Sequence, residues 1–519
     1  MGADLIGVPQ RRSIVAALSV AAAIAVVLGV LFYATGGRVA YTMDSLTYRD
    51  VALHFLSGQS IQSSNVTTLA PVLEPFLNWP PAYPALWAVW AAVTGAGSID
   101  AVPVQLNLVL LAISTLAVFW LGWMVTGQPL SAALLATVSG LVPTHLIVYG
   151  HAWSEALFIP MLLLAYACFW KYRITSGRFV WLVMAALLIG GSNWVRYAGV
   201  AFLPLLGLSV LVASASGIGR RIVHAAAAVL LGLGVVFPLW LRNWQLSGHI
   251  SGSTRGGMPR SSRWMEDAVN VIDLIEHVFF SFSMVLRANL EVPMLLLAAW
   301  VAYRAFRRCR LRWLRPPEVW LPLVWAGGYV LFLLYARRIQ TTIDLDLRML
   351  AVAFPFILLA MLPALKVASL TAGVSGIRIL VALWLGLLAC AGLQEADRVR
   401  QSYAADAIPR WRSAFGLGYR DLSATSPTSL ALVRDLTVLA PSTLVLTDFR
   451  ALYLRYLTGL RVYAPQGDAC GLWSSHPGDV VLFIGAKDLP GWAADCLHKQ
   501  PQWRLLRPTG KAVPSMYAD

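Results

Sequence analysis

A few carboxylate and guanidinium groups adjoin long apolar segments of this sequence. Asp44 and Tyr48 are four residues apart in a polar run, and Glu155, Arg196 and Arg348 each lie beside an apolar stretch. Ionisable groups in apolar surroundings are costly to desolvate, so they usually line a cavity or bind a ligand. A carboxylate can take up a proton, and a guanidinium group can hold an anion.

Each carboxylate also has a purely structural interpretation. Asp44 can serve as the N-cap of a short amphipathic helix that ends at Gly58. Glu155, which begins an apolar stretch close to His151, can face the positive end of a helix dipole. The residues alone leave both interpretations open.

The arginines have alternatives as well. Arg337 and Arg338 end an apolar run, where their side chains can extend to lipid headgroups. Arg196 lies between two apolar runs, and burial of an unpartnered guanidinium is costly. A carboxylate or a lipid phosphate must therefore lie near Arg196, and we expect the phosphate.

A metal site is a weaker interpretation of these residues. Asp344 and Asp346 have the D-x-D spacing of metal-dependent nucleotide-sugar enzymes, but Arg348 follows two residues later, so an ion pair explains them more simply. The histidines contain no pair at i, i+4 with a Glu between them, which a zincin would require. We expect neither a metal nor another cofactor.

The elements that carry these residues are expected to be membrane-spanning helices. Hydrophobic residues make up 58% of the chain and charged residues 13%, and the mean hydropathy is +0.67, whereas a soluble domain carries about 25% charged residues. Eleven apolar segments come near the ~20 residues that cross ~30 Å of hydrocarbon. They are 13–33, 103–125, 130–148, 154–170, 179–194, 197–214, 222–241, 291–303, 318–335, 349–365 and 377–393. An all-α polytopic membrane protein is predicted.

The basic residues indicate the sidedness of these spans. The net charge is +15, but Lys and Arg lie in short loops between spans rather than along one stripe, which argues against a nucleic-acid partner. Positive loops favour the cytoplasmic side, so we expect the N-terminus inside and, after an odd number of spans, the C-terminus outside. The basic clusters are Arg11-Arg12, Lys171 to Arg178, Arg220-Arg221, Arg304 to Arg315, and Lys366 with Arg378. The polar loops 34–102, 149–155, 193–197, 242–288 and 336–348 then open on the outer face, around one site.

Segment 80–95 is apolar enough to span, but a crossing there would move the later basic clusters to the outer face. We therefore predict a helix in the outer interface, with Trp79, Tyr83, Trp87 and Trp90 at headgroup depth. The first apolar run is too long for a secretory signal and is expected to stay as an uncleaved helix.

The chain is expected to divide into a membrane domain, residues 1–395, and an extracytoplasmic domain, residues 396–519. Strand-like runs at 443–447 and 480–484, with a helical segment at 451–457 between them, predict a small α/β unit. Cys470 and Cys496 are the two cysteines of this domain. In an oxidising compartment we expect them to form a disulfide.

The order of the motifs resembles bacterial polyprenyl-phosphate-dependent glycosyltransferases of the GT-C fold, which are related to the protein O-mannosyltransferases of glycosyltransferase family 39. The resemblance covers roughly residues 10–395. The motifs that carry it are Asp44 with Tyr48, Ala52 and Gly58; Trp79-Pro80-Pro81-Ala82-Tyr83-Pro84; Ser154-Glu155; Asn193-Trp194-Val195-Arg196-Tyr197; and Asp346-Leu347-Arg348. The chain departs from the family where Glu155 replaces the more common Asp, and where Asn78-Trp79 replaces a charged residue.

The resemblance implies transfer of one sugar from a polyprenyl-phosphate donor to an acceptor hydroxyl of a glycan, lipid or protein, with inversion, at the outer face of the bacterial inner membrane. It implies that Asp44 is the general base and that Glu155 shapes the acceptor side. Phosphate contacts are expected from Arg348, Arg196 and Arg337. Further substrate contacts are expected from Tyr48, His151 and Tyr197.

The implied reaction also predicts a distance. A sugar ring between base and phosphate predicts that the charged ends of Asp44 and Arg348 lie on the order of 6 to 12 Å apart, as inverting chemistry requires space for the nucleophile.

The rival function is a transporter or flippase for a lipid-linked or anionic solute, because broken helices and intramembrane Arg also suit solute pathways. A scaffold for envelope assembly leaves Asp44, Glu155 and Arg348 unexplained as a set.

Overall fold

The computed structural model describes most of residues 1–395 and part of residues 396–519. The described ranges are 7–65, 72–175, 177–213, 217–252, 317–339, 347–367, 375–404, 435–436, 438–440, 443–447, 454, 460–463, 479–484 and 490–506. The predicted span 291–303 and the basic cluster Arg304 to Arg315 lie outside these residues. The loop Ala336 to Arg348 is described only at its two ends.

Long apolar helices form the body of the protein. In the described residues five helices are long and apolar enough to cross a membrane, which establishes a multi-pass membrane protein. They are α1 (Gly7–Thr35), α4 (Val102–Thr126), α7 (Glu155–Ile174), α10 (Ile218–Ser247) and α11 (Pro317–Ile339). Each coincides with a predicted span, so the mainly helical fold class is confirmed.

A sixth apolar segment is bent. Helices α5 (Pro129–Leu141) and α6 (Pro143–Gly150) would cross as one unit but meet at 60°. Pro143 stands at the bend, because a proline ring supplies no amide proton and fits only the first turn of the following helix. The bend directs the end of α6 toward the turn that precedes α7.

The remaining apolar helices are shorter or only partly described. Helices α8 (Phe179–Asn193) and α9 (Phe202–Ala213) are joined by a 3-10 turn at Tyr197–Ala201, so the predicted break at 193–197 is present. Both are shorter than the ~20 residues of a full crossing, although they were predicted as spans. The later helices α13 (Phe354–Val367) and α14 (Ser375–Ala404) follow a four-residue turn, α12 (Leu347–Leu350).

The long loop between α1 and α4 folds into compact elements. Helix α2 (Met43–Leu56) is followed by a hairpin of β1 (Gln62–Asn65) and β2 (Val72–Pro75) and then by helix α3 (Ala82–Thr94). With 13 residues α3 is about 20 Å long at 1.5 Å per residue, too short to span. The short helix agrees with the prediction for 80–95.

The predicted environment of the α3 aromatic rings is wrong in part. Tyr83 and Trp87 are fully buried inside the protein, where Tyr83 packs edge-on against Tyr48 of α2 with ring centroids 5.4 Å apart. These rings therefore fix α2 to α3 instead of lying at headgroup depth. Trp79 and Trp90 are half-buried.

Close helix packing depends on glycine where α8 meets α10. A Cβ added to Gly190 would lie 2.7 Å from the carbonyl oxygen of Gly232 and 2.8 Å from Val235. Backbone atoms cannot move aside as a flexible side chain can. The two helices approach this closely because Gly190 and Gly232 have no side chains.

The C-terminal domain contains a parallel sheet. Its strand order is β4-β3-β5-β6, with β3 (Leu444–Thr447) paired to both β4 (Arg461–Tyr463) and β5 (Val480–Phe483), and β5 paired to β6 (Arg504–Leu506). Helix α15 (Gly491–Lys499) connects β5 to β6. Both predicted strands are present, and the residues described here form an α/β unit; most of 451–457 lies outside them.

Cys496 of α15 is disulfide-bonded. Cys168 and Cys390 are free thiols. Cys470 lies outside the described residues, so its pairing with Cys496 stays a prediction.

Replacement of Gly190 by Ala is expected to destabilise the membrane domain. The added methyl group would overpack the α8–α10 crossing, at a cost of about 1–3 kcal/mol. Thermal unfolding in detergent measures the effect. Gly234→Ala on α10 is the matched control, since a Cβ there meets no atom within 4 Å and alanine favours a helix; equal melting temperatures for the two variants would contradict the packing argument.

Candidate functional site

The start of α2 is held by the turn before α7. Thr42 is the N-cap residue of α2, its amide donates to Ser45 Oγ at 3.1 Å, and its hydroxyl accepts a hydrogen bond from Trp153 Nε1 at 2.9 Å. Asp44 lies in the first turn of the helix and is not the N-cap. The structural interpretation of Asp44 as a capping residue is therefore wrong, and its carboxylate is available for another contact.

The turn between α6 and α7 is fixed by backbone and side-chain hydrogen bonds. Ala40 lies between Gly150 and Ala152, donating to the first and accepting from the second. Asn107 of α4 donates from Nδ2 to the carbonyl oxygens of Tyr149 and His151, both at 2.8 Å. These bonds set the position from which Trp153, Ser154 and Glu155 project.

Four charged side chains meet at this turn. Arg348 Nη1 lies 2.8 Å from Asp44 Oδ2, Arg348 Nε lies 3.6 Å from Glu155 Oε1, and Arg196 Nη1 lies 2.5 Å from the same Glu155 oxygen. The side chains of Asp44 and Arg348 are 20% and 17% exposed, whereas that of Glu155 is 1% exposed. We call these four residues the charge cluster. Its carboxylates and guanidinium groups alternate, with Glu155 enclosed and Asp44 at the accessible end.

Hydrogen bonds close the cluster into a ring. Tyr48 donates to Ser154 Oγ at 3.3 Å, Arg196 Nη1 donates to the same oxygen at 3.2 Å, and Ser154 donates to Glu155 Oε2 at 3.4 Å. Because Tyr48 and Asp44 lie one turn apart on α2, the ring runs from α2 through Ser154, Glu155 and Arg348 back to α2. Helix α2, the turn before α7 and the segment that carries Arg348 therefore each contact the other two.

The Tyr48 phenol and the Arg196 guanidinium of this ring are each held in one protonation state. Burial raises the pKa of Tyr48, and the nearby Asp44 and Glu155 carboxylates add to that effect. Burial lowers the pKa of Arg196, but the Glu155 carboxylate more than offsets this and leaves the pKa above its usual value. Tyr48 is therefore a neutral hydrogen-bond donor and Arg196 a permanent cation.

Trp153 forms the wall behind Arg348. The guanidinium carbon of Arg348 lies 5.2 Å from the Trp153 ring centroid, a cation–π contact. His151 stacks on Trp153 with ring centroids 4.1 Å apart and donates from Nδ1 to the Ile147 carbonyl at 2.7 Å. The predicted contact of His151 with substrate is not supported, because the buried imidazole lies behind Trp153.

Arg348 reaches the cluster from a short, well-anchored turn. The helical turn α12 is followed by Ala351, whose carbonyl accepts a hydrogen bond from His145 Nε2 of α6 at 3.2 Å. The His145 ring also packs edge-on against Phe354, with centroids 6.3 Å apart. The bent helix pair thus positions Arg348 as well as the turn before α7.

Two of the predicted site residues have other surroundings. Tyr197 donates to the Leu77 carbonyl at 3.2 Å and accepts from Asn243 Nδ2 at 3.0 Å, so it connects the break after α8 to the first outer loop and to α10. Arg337 lies near the end of α11, and its side chain is outside the described residues.

Two geometric expectations are wrong. Asp44 and Arg348 form a direct ion pair instead of lying 6 to 12 Å apart, because opposite charges that are largely removed from water attract strongly at contact. Arg196 pairs with a carboxylate, Glu155, where a phosphate was expected. In both cases a partner distant in sequence supplies the counter-charge.

Several residues in or near the site were not predicted from the sequence. Trp153 and Thr42 stand next to predicted residues but carry no sequence signal of their own. Arg49 and Asp100 form a two-point ion pair, with Nε to Oδ1 at 2.7 Å and Nη2 to Oδ2 at 3.1 Å. This pair fixes α2 to the start of α4 from outside the charge cluster.

The fold matches solved membrane enzymes despite low sequence identity. The structure of ArnT from Cupriavidus metallidurans bound to undecaprenyl phosphate aligns with a TM-score of 0.54 at 14% identity, covering 94% of this chain and 89% of ArnT. The apo form of the same protein gives a TM-score of 0.50 at 15% identity with the same coverage. The chain therefore has the GT-C fold, as the resemblance implied.

A third match is more distant. The apo oligosaccharyltransferase of Archaeoglobus fulgidus aligns with a TM-score of 0.48 at 13% identity over 87% of this chain and 64% of its own, which is too low to argue from. No family model and no curated protein matches the sequence. The relation to glycosyltransferase family 39 stays a prediction.

The buried His151 is expected to make stability depend on pH. Burial, together with the charge of Arg348, lowers the pKa of His151 to about 3, so below pH 6.5 the unfolded chain binds a proton that the folded chain does not. Stability conferred by the neutral imidazole is therefore full at pH 7 and falls as the pH drops from 6.5 toward 3, by roughly 2 kcal/mol at pH 5. Thermal unfolding at pH 7 and pH 5 measures it. His151→Asn keeps a donor for the Ile147 carbonyl without a titrating group, and an unchanged pH dependence in that variant would contradict the assignment.

Proposed function

We propose that this chain is a glycosyltransferase that moves a single sugar from a polyprenyl-phosphate donor to an acceptor hydroxyl at the outer face of a bacterial inner membrane. The charge cluster carries the proposal, because it places the half-buried carboxylate of Asp44 in contact with the Arg348 guanidinium at the first long loop of a GT-C fold. ArnT, whose fold this chain shares, has been solved with undecaprenyl phosphate. The acceptor is a glycan, lipid or protein hydroxyl.

Asp44 has the chemistry of a general base for this reaction. An alcohol is a weak nucleophile until its proton is removed, and a carboxylate within hydrogen-bond distance can remove it. Of the two carboxylates in the cluster, Asp44 is 20% exposed and Glu155 is 1% exposed. Only Asp44 is open to an incoming hydroxyl.

Arg348 has the chemistry of a phosphate ligand. The departing lipid phosphate is a stable anion and needs little protonation, but its charge must be stabilised where water is scarce. A guanidinium group does this through paired hydrogen bonds. The Arg348 and Arg196 side chains are equally exposed, at 17% each, but Arg348 contacts the accessible Asp44, whereas Arg196 contacts the enclosed Glu155 and Ser154.

The ion pair between Asp44 and Arg348 constrains where the sugar can lie. A pyranose ring does not fit between two atoms 2.8 Å apart, so base and phosphate ligand must separate when both substrates are bound. Inversion requires the hydroxyl and the phosphate on opposite faces of the sugar carbon. The donor and acceptor are therefore expected to enter from the exposed side shared by these two side chains.

Glu155 is proposed to support the reaction without touching the hydroxyl. Its carboxylate accepts contacts from Arg196, Arg348 and Ser154, so it fixes the guanidinium groups that face the donor. This role replaces the expectation that Glu155 shapes the acceptor side. No metal or other cofactor is part of the proposal.

A transporter or flippase for an anionic lipid-linked solute is the second candidate. The break between α8 and α9 and the bent pair α5–α6 also occur in solute pathways. A transporter needs an anion site such as Arg348 but has no use for a base at Asp44. Asp44 therefore distinguishes the two functions.

Asp44→Asn is expected to abolish sugar transfer while the protein still folds. Loss of a general base lowers rates by roughly 10²- to 10⁴-fold. In a strain without the gene, mass spectrometry of extracted lipids should show one polyprenyl-monophosphate sugar accumulating. The wild-type gene should remove this lipid and the Asp44→Asn gene should not.

Glu74→Gln provides the matched control, since Glu74 is an exposed carboxylate of the same outer loop. It is expected to remove the accumulated lipid as wild type does. Complementation by Asp44→Asn would exclude Asp44 as the base and favour the transporter.

The proposed orientation has its own test. Basic loops favour the cytoplasm, so single cysteines placed in 304–315 should react only from inside, and cysteines in 400–519 only from outside. Impermeant maleimide labelling of intact cells and of inverted vesicles measures this. Labelling of residues 400–519 from the cytoplasmic side would overturn the orientation and the assignment of the site to the outer face.

A further inference from the structure

The two carboxylates of the charge cluster differ in their access to solvent. Glu155 is enclosed, with one oxygen contacted by Arg196 at 2.5 Å and by Arg348 at 3.6 Å. Asp44 is partly exposed and contacts Arg348 Nη1 at 2.8 Å. Of the two carboxylates that Arg348 contacts, solvent therefore reaches that of Asp44 and not that of Glu155.

The cluster is also electrically balanced. Two carboxylates and two guanidinium groups sum to zero, so an additional phosphate brings an uncompensated negative charge. If Asp44 kept its place, phosphate and carboxylate would share one guanidinium, and two like charges in a partly dry site repel strongly. The repulsion is relieved if the carboxylate moves toward water, which its partial exposure allows.

Arg348 can change its partner on one side because it is held on the others. Its guanidinium lies over the Trp153 ring, its Nε faces Glu155, and the backbone that follows it is bonded to His145. A planar guanidinium fixed in this way keeps its orientation while Nη1 exchanges one oxygen anion for another.

We propose that Arg348 exchanges the Asp44 carboxylate for the phosphate of a polyprenyl-phosphate lipid, with Glu155 as the fixed counter-ion that keeps Arg348 and Arg196 in place during the exchange. The inference rests on the proposed function and adds an order of events to it. Asp44 is released to accept a proton only when a phosphate occupies Arg348. The donor therefore binds before the acceptor is activated, which limits loss of the sugar to water.

A pair of variants with the same charge tests the exchange. Asp44→Asn and Glu155→Gln each remove one negative charge from the cluster, so a general electrostatic effect would strengthen phosphate binding equally in both. The exchange predicts opposite results. Asp44→Asn removes the competitor for Arg348 and should tighten binding by roughly tenfold, equivalent to about 1.4 kcal/mol, whereas Glu155→Gln releases both guanidinium groups and should weaken it.

Binding is measured on the full chain in detergent by isothermal titration with three probes. Farnesyl phosphate carries both lipid and headgroup, farnesol carries the lipid alone, and inorganic phosphate carries the headgroup alone. Tighter binding in Asp44→Asn is expected with farnesyl phosphate and, if free phosphate is also a ligand, with inorganic phosphate, but not with farnesol. Glu74→Gln should bind all three as wild type does.

Three results would overturn the exchange: equal tightening in Asp44→Asn and Glu155→Gln, unchanged affinity in Asp44→Asn, or the same tightening with farnesol. If Glu155→Gln fails to fold, Glu155→Asp replaces it; this variant keeps the charge and is expected to retain part of the affinity. The comparison of Asp44→Asn with Glu74→Gln then still tests whether Asp44 competes with the phosphate. Binding is measured without sugar transfer, so the outcomes are separable. Unchanged affinity in an Asp44→Asn variant that has lost transfer would reject the exchange and leave the glycosyltransferase proposal intact.

Discussion

Burial of the Glu155 carboxylate is the constraint on which the site depends. A nearly inaccessible ionised carboxylate is stable only if cations and hydrogen-bond donors replace the water it has lost. Arg196, Arg348 and Ser154 supply these contacts. Loss of either arginine leaves charge uncompensated, and loss of Ser154 removes a hydrogen bond to the carboxylate. The break after α8, the turn before α7 and the segment around α12 must therefore meet at one place.

Aromatic packing gives this ionic centre its rigidity. Tyr48 is fully buried among the rings of Phe76, Trp79 and Tyr83, and its hydroxyl enters the ring of polar contacts through Ser154. Helix α2 is thereby held on one side by apolar contacts and on the other by charges. Asp44, one turn from Tyr48, combines an anchored backbone with a side chain that is open to solvent.

Much of the fold follows from the sequence because lipid imposes strong local rules. Apolar length identified the long helices, and short runs of apolar residues identified the strands at 443–447 and 480–484, since each signal depends only on neighbouring residues. The short helix α3 was predicted, but its aromatic rings were assigned to the membrane interface. Tyr83 packs against Tyr48 of α2 and Trp87 against Tyr41 instead, because the choice between lipid and protein contact is decided by tertiary packing.

Tertiary packing also limits what the sequence can predict about the candidate site. Asp44, Glu155, Arg196 and Arg348 were selected because ionisable groups near lipid are costly, a property visible in the sequence. Their pairing was not visible, since Arg196 has apolar neighbours and Arg348 has nearer aspartates at 344 and 346. The partners are chosen by which helices pack together, and that depends on contacts such as the Gly190–Gly232 approach.

The position of Glu155 at the first residue of α7 also affects how the chain assembles in the membrane. Translation produces this carboxylate before either of its guanidinium partners, so α7 enters the bilayer region with an acid at its end that is not yet compensated. Arg196 follows after one further helix and closes the first contact. Arg348 comes much later, and only its arrival completes the ring that includes α2. A chain that stops short of Arg348 can still make the contacts of Tyr48 with Ser154 and of Thr42 with Trp153, but it lacks the cation that joins Asp44 of α2 to Glu155.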